Sequence, residues 1–376
     1  MATQSNPLAP SITPPHFLAD LYTFKWSEFS LRLPLVSASA VALCLFTGIL
    51  LGHPGGALVA GGGALTIGFG ANQRIADSRL LPMIAAIFAM STATLVGTLA
   101  GHSGYALLLA AALSAFIYGV LTARHAGLSW VGQQASVALL VASAFPTGPL
   151  LAFTRAGLIV LGGVVQILIT SLGLSLMPDL RKDLLRIPTS LYQGVQQQHH
   201  ELLDRLRELP QSLPALSHSA TLGYCLRLVI TISVATEVYH RIGIQSGYWI
   251  PMTALLVQKP AFFETLTRAS ARILGTLLGA WLCSLLIAHL TPQPLVLAAC
   301  TTLFAFASFA TNSVNYGLFT ACLTSYIVFL LSLNQIPGPV IAHRRAWCTI
   351  LGGLIALVIH LDALRRHRST APNTPK

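Results

Sequence analysis

Twelve apolar runs divide this chain, most of them near the length of about 20 residues that a helix needs to cross the hydrocarbon core of a bilayer. The first six lie near 35–51, 56–71, 80–100, 104–123, 129–146 and 155–177. The second six lie near 220–240, 246–258, 269–290, 294–312, 316–333 and 341–361. In lipid only helices and closed barrels satisfy every backbone donor and acceptor. These runs are too long, and alternate too little, to be barrel strands. The expected fold class is therefore an all-α integral membrane bundle of about twelve transmembrane helices. Composition points the same way, since only 9% of residues are charged against about 25% in an ordinary soluble domain. Such a chain cannot cover itself with a hydrated surface.

The net charge is +11, but the basic residues fall between apolar runs rather than along one stripe. That pattern belongs to loops on the inner side of a membrane, not to a nucleic-acid footprint. With the N-terminus inside, 17 of the 22 Lys and Arg fall on the inner side and four (Arg155, Arg241, Arg344, Arg345) on the outer, with Arg227 inside the seventh run. Both termini are thus expected in the cytoplasm. The first apolar run follows a proline-containing polar stretch (Pro7, Pro10, Pro14, Pro15) and reads as a spanning helix rather than a signal peptide. The expected organisation is a cytoplasmic segment (1–30), a first membrane unit (31–177), a cytoplasmic linker (178–219), a second membrane unit (220–364) and a basic tail (365–376). Within the linker Leu191, Val195, Leu202, Leu206 and Leu209 recur at helical spacing. An amphipathic helix over 189–209 is expected there, either a solvated connector or a surface that lies on lipid or pairs with another copy.

The two membrane units resemble each other. Leu31-Arg32-Leu33 is answered by Leu226-Arg227-Leu228, and Gly97-Thr98-Leu99-Ala100-Gly101 by Gly275-Thr276-Leu277-Leu278-Gly279. Tyr118 to Ala123 is matched with Tyr316 to Ala321, and Arg155-Ala156 with its following Leu161-Gly162-Gly163 by Arg345-Ala346 and Leu351-Gly352-Gly353. Six spans per unit is an even number, so the second copy enters in the same orientation as the first. That predicts two parallel six-helix repeats about an axis along the membrane normal, an arrangement found in transporters. The second run of each unit is short and interrupted, by Gly55, Gly56, Gly61, Gly62, Gly63, Gly68 and Gly70 in one and by Pro251 in the other. Paired interrupted spans point to a binding site at the repeat interface, although glycines also serve close helix packing.

The run Tyr248-Trp249-Ile250-Pro251-Met252-Thr253-Ala254-Leu255-Leu256-Val257-Gln258, followed by Arg268 and by Arg272-Ile273-Leu274-Gly275-Thr276-Leu277-Leu278-Gly279, resembles the fusaric acid resistance protein-like family, which includes aromatic acid exporters. The specific motif covers about 35 residues, and a looser resemblance extends from about 220 to 361. The resemblance implies a bacterial inner-membrane exporter of small, often aromatic, carboxylates, in some members working with a periplasmic adaptor protein. Many members carry large cytoplasmic domains after each membrane unit, whereas here there is a short linker and a 12-residue tail.

On this reading Arg268 and Arg272, one helical turn apart, are candidates to hold a carboxylate bidentately. Alternatively they follow the positive-inside rule and meet lipid phosphate. Arg155 and Arg345 are repeat-related and lie on the outer side against the charge bias, which makes them candidates too. Tyr248 and Trp249 suit either an interfacial aromatic belt or stacking on a substrate ring. Thr253 and Gln258 offer uncharged contacts, and Asn312, Asn315 and Tyr316 are read as loop residues with the same potential. Glu237, an acid inside a spanning run, is the proton-coupling candidate.

No metal, nucleotide or other cofactor is expected. The twelve histidines are scattered, the six cysteines form no CxxC pair, and there is no Walker A sequence or GxSxG elbow. An enzyme is not expected. Three readings stay open: an exporter of small organic anions, proton-driven in its fullest form; a passive organic-anion channel; and a membrane assembly partner without transport. Lipid and the anion are the expected partners, with a homo-oligomer or an adaptor beside them.

Overall fold

A computed structural model describes residues 22–75, 78–176, 179, 181, 220–289, 293–334 and 336–370. Twelve α-helices lie among the described residues: α1 Arg32–Leu50, α2 Pro54–Gly68, α3 Leu80–Ala100, α4 Gly104–Arg124, α5 Ala126–Ser143, α6 Pro149–Gly173, α7 Ala220–Ile242, α8 Trp249–Val257, α9 Phe262–His289, α10 Pro294–Thr311, α11 Tyr316–Ser332 and α12 Gly338–Thr370. Each apolar run has its helix. The proposed linker helix at 189–209 lies outside the described residues, as do residues 1–21 and 371–376.

Local sequence sets many of the boundaries. Prolines open α2, α6 and α10 at the first helical turn, where the missing N–H is not needed. Asn315 caps α11, its Oδ1 accepting from the Leu318 N–H at 2.9 Å. His125 caps α5 in the same way through Nδ1 and the Gly127 N–H at 3.0 Å.

Among the described residues eight helices are long and apolar enough to cross a membrane: α1, α3, α4, α6, α7, α9, α10 and α12 over Gly338–Leu361. Large apolar side chains such as Leu109, Leu150, Trp281 and Leu303 stand exposed around the bundle, a surface that lipid satisfies and water does not. The chain is a multi-pass helical membrane protein.

The run near 246–258, expected to be short, gives the shortest of the twelve helices among the described residues, α8. Nine residues make a helix of about 14 Å, under half of the hydrocarbon thickness. Its bounds are set by two prolines. The ring of Pro251 would meet the carbonyl of Gly247 if the helix began a turn earlier. Pro260 forces Lys259 out of the helical region, and Gln258 is already extended (φ −70°, ψ 123°). Before α8 the chain runs in turns, with Gly243 at φ +62° and Ser246 at φ +66°.

Within the first six helices α1 packs on α2 and α6, α2 on α6, α3 on α5 and α6, and α4 on α5. The same pairings, each helix shifted by six, occur in α7–α12. Three further contacts join the sets, α4 with α7, α10 with α1 and, less extensively, α5 with α8. The close approaches recur as well. Gly97 and Gly101 of α3 abut the carbonyls of Leu139 and Ser143 in α5, and Gly275 and Gly279 of α9 abut those of Gly317 and Ala321 in α11. Gly162 of α6 meets the Ala60 carbonyl in α2, and Gly352 of α12 meets that of Ile250 in α8. Without a Cβ, these residues let two backbones touch. One sequence match is overturned: Tyr118 lies near the end of α4 and Tyr316 opens α11, which are not corresponding helices. The matches at Gly97 with Gly275 and at Gly162 with Gly352 fit the packing.

Ala60 and Ile250 correspond in these contacts, so α8 answers the second part of α2. The stretch before it, helical in α2, is replaced by the turns at 243–248.

Candidate functional site

Helices α8, α9, α11 and α12 bring together most of the polar residues singled out in the sequence. Arg345 of α12 is 1% exposed, and it heads the fully buried side chains in size. Its Nε donates to Thr324 Oγ1 of α11 at 3.2 Å. Its guanidinium lies 4.0 Å over the ring of Trp249, at the start of α8. Nη1 of Arg345 is buried without a hydrogen-bond partner.

Two turns from Gly279 on α9, Arg272 is 2% exposed. Its Nη1 donates to the Tyr316 hydroxyl at 3.1 Å, and its Nε has no partner. One turn earlier Arg268 places its guanidinium 3.7 Å over the Tyr316 ring, and its Nε is also unpartnered. Tyr316 therefore serves both arginines, one through its ring face and the other through its oxygen. Arg272 and Arg345 are close enough to repel each other electrostatically.

Three more buried side chains of the same elements lack partners: Thr253 on α8, Gln258 directly after it and Thr276 on α9. The ion pairs among the described residues are Lys25 with Glu28 and Arg241 with Glu237, both exposed. No carboxylate accompanies Arg272 or Arg345 among those residues. A buried charge without a partner costs several kcal/mol, and no carboxylate among the described residues offsets that cost here.

The placement of α8 explains why Gln258 is held where it is. Thr265 Oγ1 accepts from the Lys259 N–H at 2.9 Å, and His360 of α12 contacts the same oxygen through Nδ1 at 2.9 Å. Arg227 of α7 donates to His360 Nε2 at 2.8 Å and to the Pro260 carbonyl at 3.4 Å. A guanidinium only donates, which leaves the His360 proton on Nδ1, facing Thr265. Three helices thus pin the turn that carries Gln258.

Arg155 lies apart from the cluster. It donates to the Phe145 carbonyl and sits 5.9 Å from that ring. Aromatic contacts nevertheless lead from it toward Arg345: Phe145 to Tyr248 at 6.0 Å, then Tyr248 to Trp249 at 4.9 Å. Both Tyr248 and Trp249 are buried, so neither is a surface belt residue. Glu237 is part exposed in its pair with Arg241, away from the buried arginines. Asn315 is the α11 cap, and Asn312 is the C-cap of α10.

Sequence reasoning missed Thr324 altogether and gave Tyr316 no more weight than a loop residue. A signal for Thr324 existed: Thr320 and Thr324 are one turn apart and lie against Gly275 and Gly279. The first set of helices has no equivalent cluster. At the offset of 178 residues shared by the α3–α5 and α9–α11 contacts, Arg272 answers to Thr94 and Tyr316 to Ala138.

Residues 232–359 match the family model for fusaric acid resistance protein-like proteins. The chain is 28% identical over 169 residues to an uncharacterized protein of Synechocystis sp. (44% of this chain, 22% of that one). It is 30% identical over 142 residues to the uncharacterized protein ORF2 of Neisseria gonorrhoeae (37% and 33%). A third relative, an uncharacterized protein of Haemophilus influenzae, is 26% identical over 172 residues (45% and 24%). The chain spans about a third or less of the length of these curated relatives. No solved structure matches it. The matched stretch runs from within α7 into α12 and contains Trp249, Arg268, Arg272, Tyr316, Thr324 and Arg345, so over this stretch the chain is similar to the fusaric acid resistance protein-like family.

Proposed function

We propose that this chain exports small organic anions, aromatic carboxylates first among them, across a bacterial inner membrane. The observation that carries the reading is the burial of Arg272 and Arg345, each with an unpartnered N–H, where no carboxylate among the described residues compensates them. Guanidinium groups bind carboxylates through paired hydrogen bonds, and the faces of Tyr316 and Trp249 suit an aromatic ring beside the charge. In the proposed topology both termini are cytoplasmic. Arg268, Arg272 and Tyr316 then form the inner mouth, and Arg345 and Trp249 lie deeper, beside the broken segment before α8. Two parallel six-helix repeats frame the path, a layout supported by the recurring helix pairings. Broken helices at such interfaces are where secondary transporters bind their substrates.

The test is efflux of a panel of radiolabelled aromatic carboxylates from cells with and without the protein, beside Arg272→Ala and Arg345→Ala variants of verified expression. Selective efflux that falls at least about tenfold in either variant supports the reading, since losing one charged hydrogen-bonding partner is worth about 1.5–3 kcal/mol. No efflux of any carboxylate from well-expressed protein rejects it. The energy source divides two readings. Proton coupling is the first, and collapse of efflux under an uncoupler at constant membrane potential supports it. A passive anion pathway is the second, favoured because Glu237 sits in an exposed ion pair rather than at the buried arginines. Efflux that follows membrane potential alone supports that reading.

A further inference from the structure

Ahead of α1 the chain is tied across the end of the bundle. The Lys25 N–H donates to the Val314 carbonyl at 3.0 Å, and Asn315 Nδ2 donates to the Thr23 carbonyl at 3.0 Å. Ser313 Oγ donates to the Glu28 carbonyl at 3.4 Å. Residues 22–29 are thereby strapped to the turn between α10 and α11. Arg32, at the start of α1, donates to the Gly173 carbonyl at the end of α6 at 3.0 Å, so the strap is fixed at both ends.

The strap carries a patch of rings. Phe24 stacks on Trp26 with ring centres 6.0 Å apart, and Phe29 meets Trp26 edge-on at 6.2 Å. All three are exposed, Trp26 at 60%. The patch continues into Leu31 and into Leu35 of α1, both exposed, on a helix long and apolar enough to span. That continuity names lipid as what covers the rings. Irregular backbone does not face the hydrocarbon core, which assigns the strap to the headgroup layer, where aromatic side chains collect. Its two charged residues, Lys25 and Glu28, pair at 3.6 Å. With no net charge, the strap is held by its rings rather than by attraction to anionic lipid.

Asn315 joins this strap to the arginine cluster. Its Nδ2 holds Thr23 while its Oδ1 caps α11 through the Leu318 N–H. The next residue is Tyr316, whose ring lies under Arg268 and whose hydroxyl accepts from Arg272. We infer that residues 22–29 are a lipid-seated strap, anchored by Phe24, Trp26 and Phe29 in the leaflet at this end of the bundle, which through Asn315 fixes the turn that presents Tyr316 to both arginines. The lipid seat stands apart from the anion reading above, and its effect on anion affinity rests on that reading.

The experiment places the full chain in nanodiscs of brominated phosphatidylcholine and takes the emission of Trp26 as the difference between wild type and Trp26→Phe. That emission is expected to be quenched more by bromine near the headgroup than by bromine at the bilayer centre, and equally with or without added phosphatidylglycerol. Emission untouched by bromine at either depth, or quenched only when anionic lipid is present, overturns the seat. The link to Tyr316 is read in two variants: Phe24→Ser with Trp26→Ser, which removes the rings, and Asn315→Ser, which keeps a capping oxygen and loses the reach to Thr23. In both, hydrogen exchange at the amides of 314–318 is expected to quicken, and KM for efflux of a carboxylate to rise about threefold with kcat unchanged, the loss of one ordinary hydrogen bond. Phe24→Trp with Trp26→Tyr, which restores rings, is expected to return both to wild type. Unchanged exchange and KM in both variants overturn the link. If the wild-type chain exports no carboxylate, the anion reading fails, and quenching and hydrogen exchange still decide the strap.

Discussion

Tyr316 shows how one side chain can organise two cations. Its ring lies under Arg268 and its oxygen accepts from Arg272, so removing the hydroxyl separates the two roles. Tyr316→Phe keeps the face for Arg268 and deprives Arg272 of one acceptor, at a cost of about 1–3 kcal/mol to whatever Arg272 holds. The expected outcome is a rise in KM for the transported anion of about fivefold or more, with the protein still folded by size-exclusion chromatography. Arg345 makes the complementary point. Lysine there keeps the charge but loses the planar group that stacks on Trp249 while Nε reaches Thr324. Arg345→Lys is therefore expected to behave like Arg345→Ala in efflux, and wild-type rates in the lysine variant would show that charge alone is needed. The arginines were legible in the sequence because charges inside apolar runs stand out. Thr324 was not, because a threonine in a membrane helix looks the same whether it bonds its own backbone, as Thr320 does, or a buried arginine on another helix.

The helices themselves were legible from apolar run length, and the exceptions have local causes. The run near 246–258 gives no hint that its first three residues leave the helix, since tyrosine, glycine and serine are common in membrane helices. The start of α8 is fixed by Pro251 and the positive φ of Ser246, and the second of these has no signature in residue type. Glycine, likewise, marks an approach without naming its partner. Gly279 lies against the Ala321 carbonyl and Gly352 against that of Ile250, whereas Gly62 has nothing within 4 Å of an added Cβ. Gly279→Ala must push α9 and α11 apart, moving Thr324 away from Arg345. Overpacking of this kind costs about 1–3 kcal/mol, and a fall in Tm in detergent together with reduced efflux is expected. Gly62→Ala is expected to melt within a degree or two of wild type, or slightly higher, because alanine favours the helix. Equal losses in the two variants would show that helix flexibility, rather than close approach, is what these glycines provide.

At the scale of the whole molecule, the junctions α4–α7, α5–α8 and α1–α10 are where the two helix sets must part if transport proceeds by rocking one against the other. Their apolar cores run across these junctions: Tyr118 and Leu107 share a cluster with Tyr224 and Leu228, and Val41 and Leu45 share one with Ala298 and Ala305. Alternating access as a rigid-body motion requires one of these seams to open at the end carrying Tyr118 and Tyr224. Gly119 offers a direct test, because its added Cβ falls 3.3 Å from the Cβ of Cys225, close to the usual disulfide spacing of about 3.5–4.5 Å. In a chain with the other five cysteines replaced, Gly119→Cys is expected to cross-link to Cys225 on oxidation. Efflux is then expected to stop when the bridge forms and to return when dithiothreitol breaks it, with a reducible mobility shift reporting the fraction locked. Full efflux from fully cross-linked protein would mean that the seam stays shut throughout the cycle. Movement would then belong to α8 and the turns before it, and the passive pathway would gain over the rocking exporter.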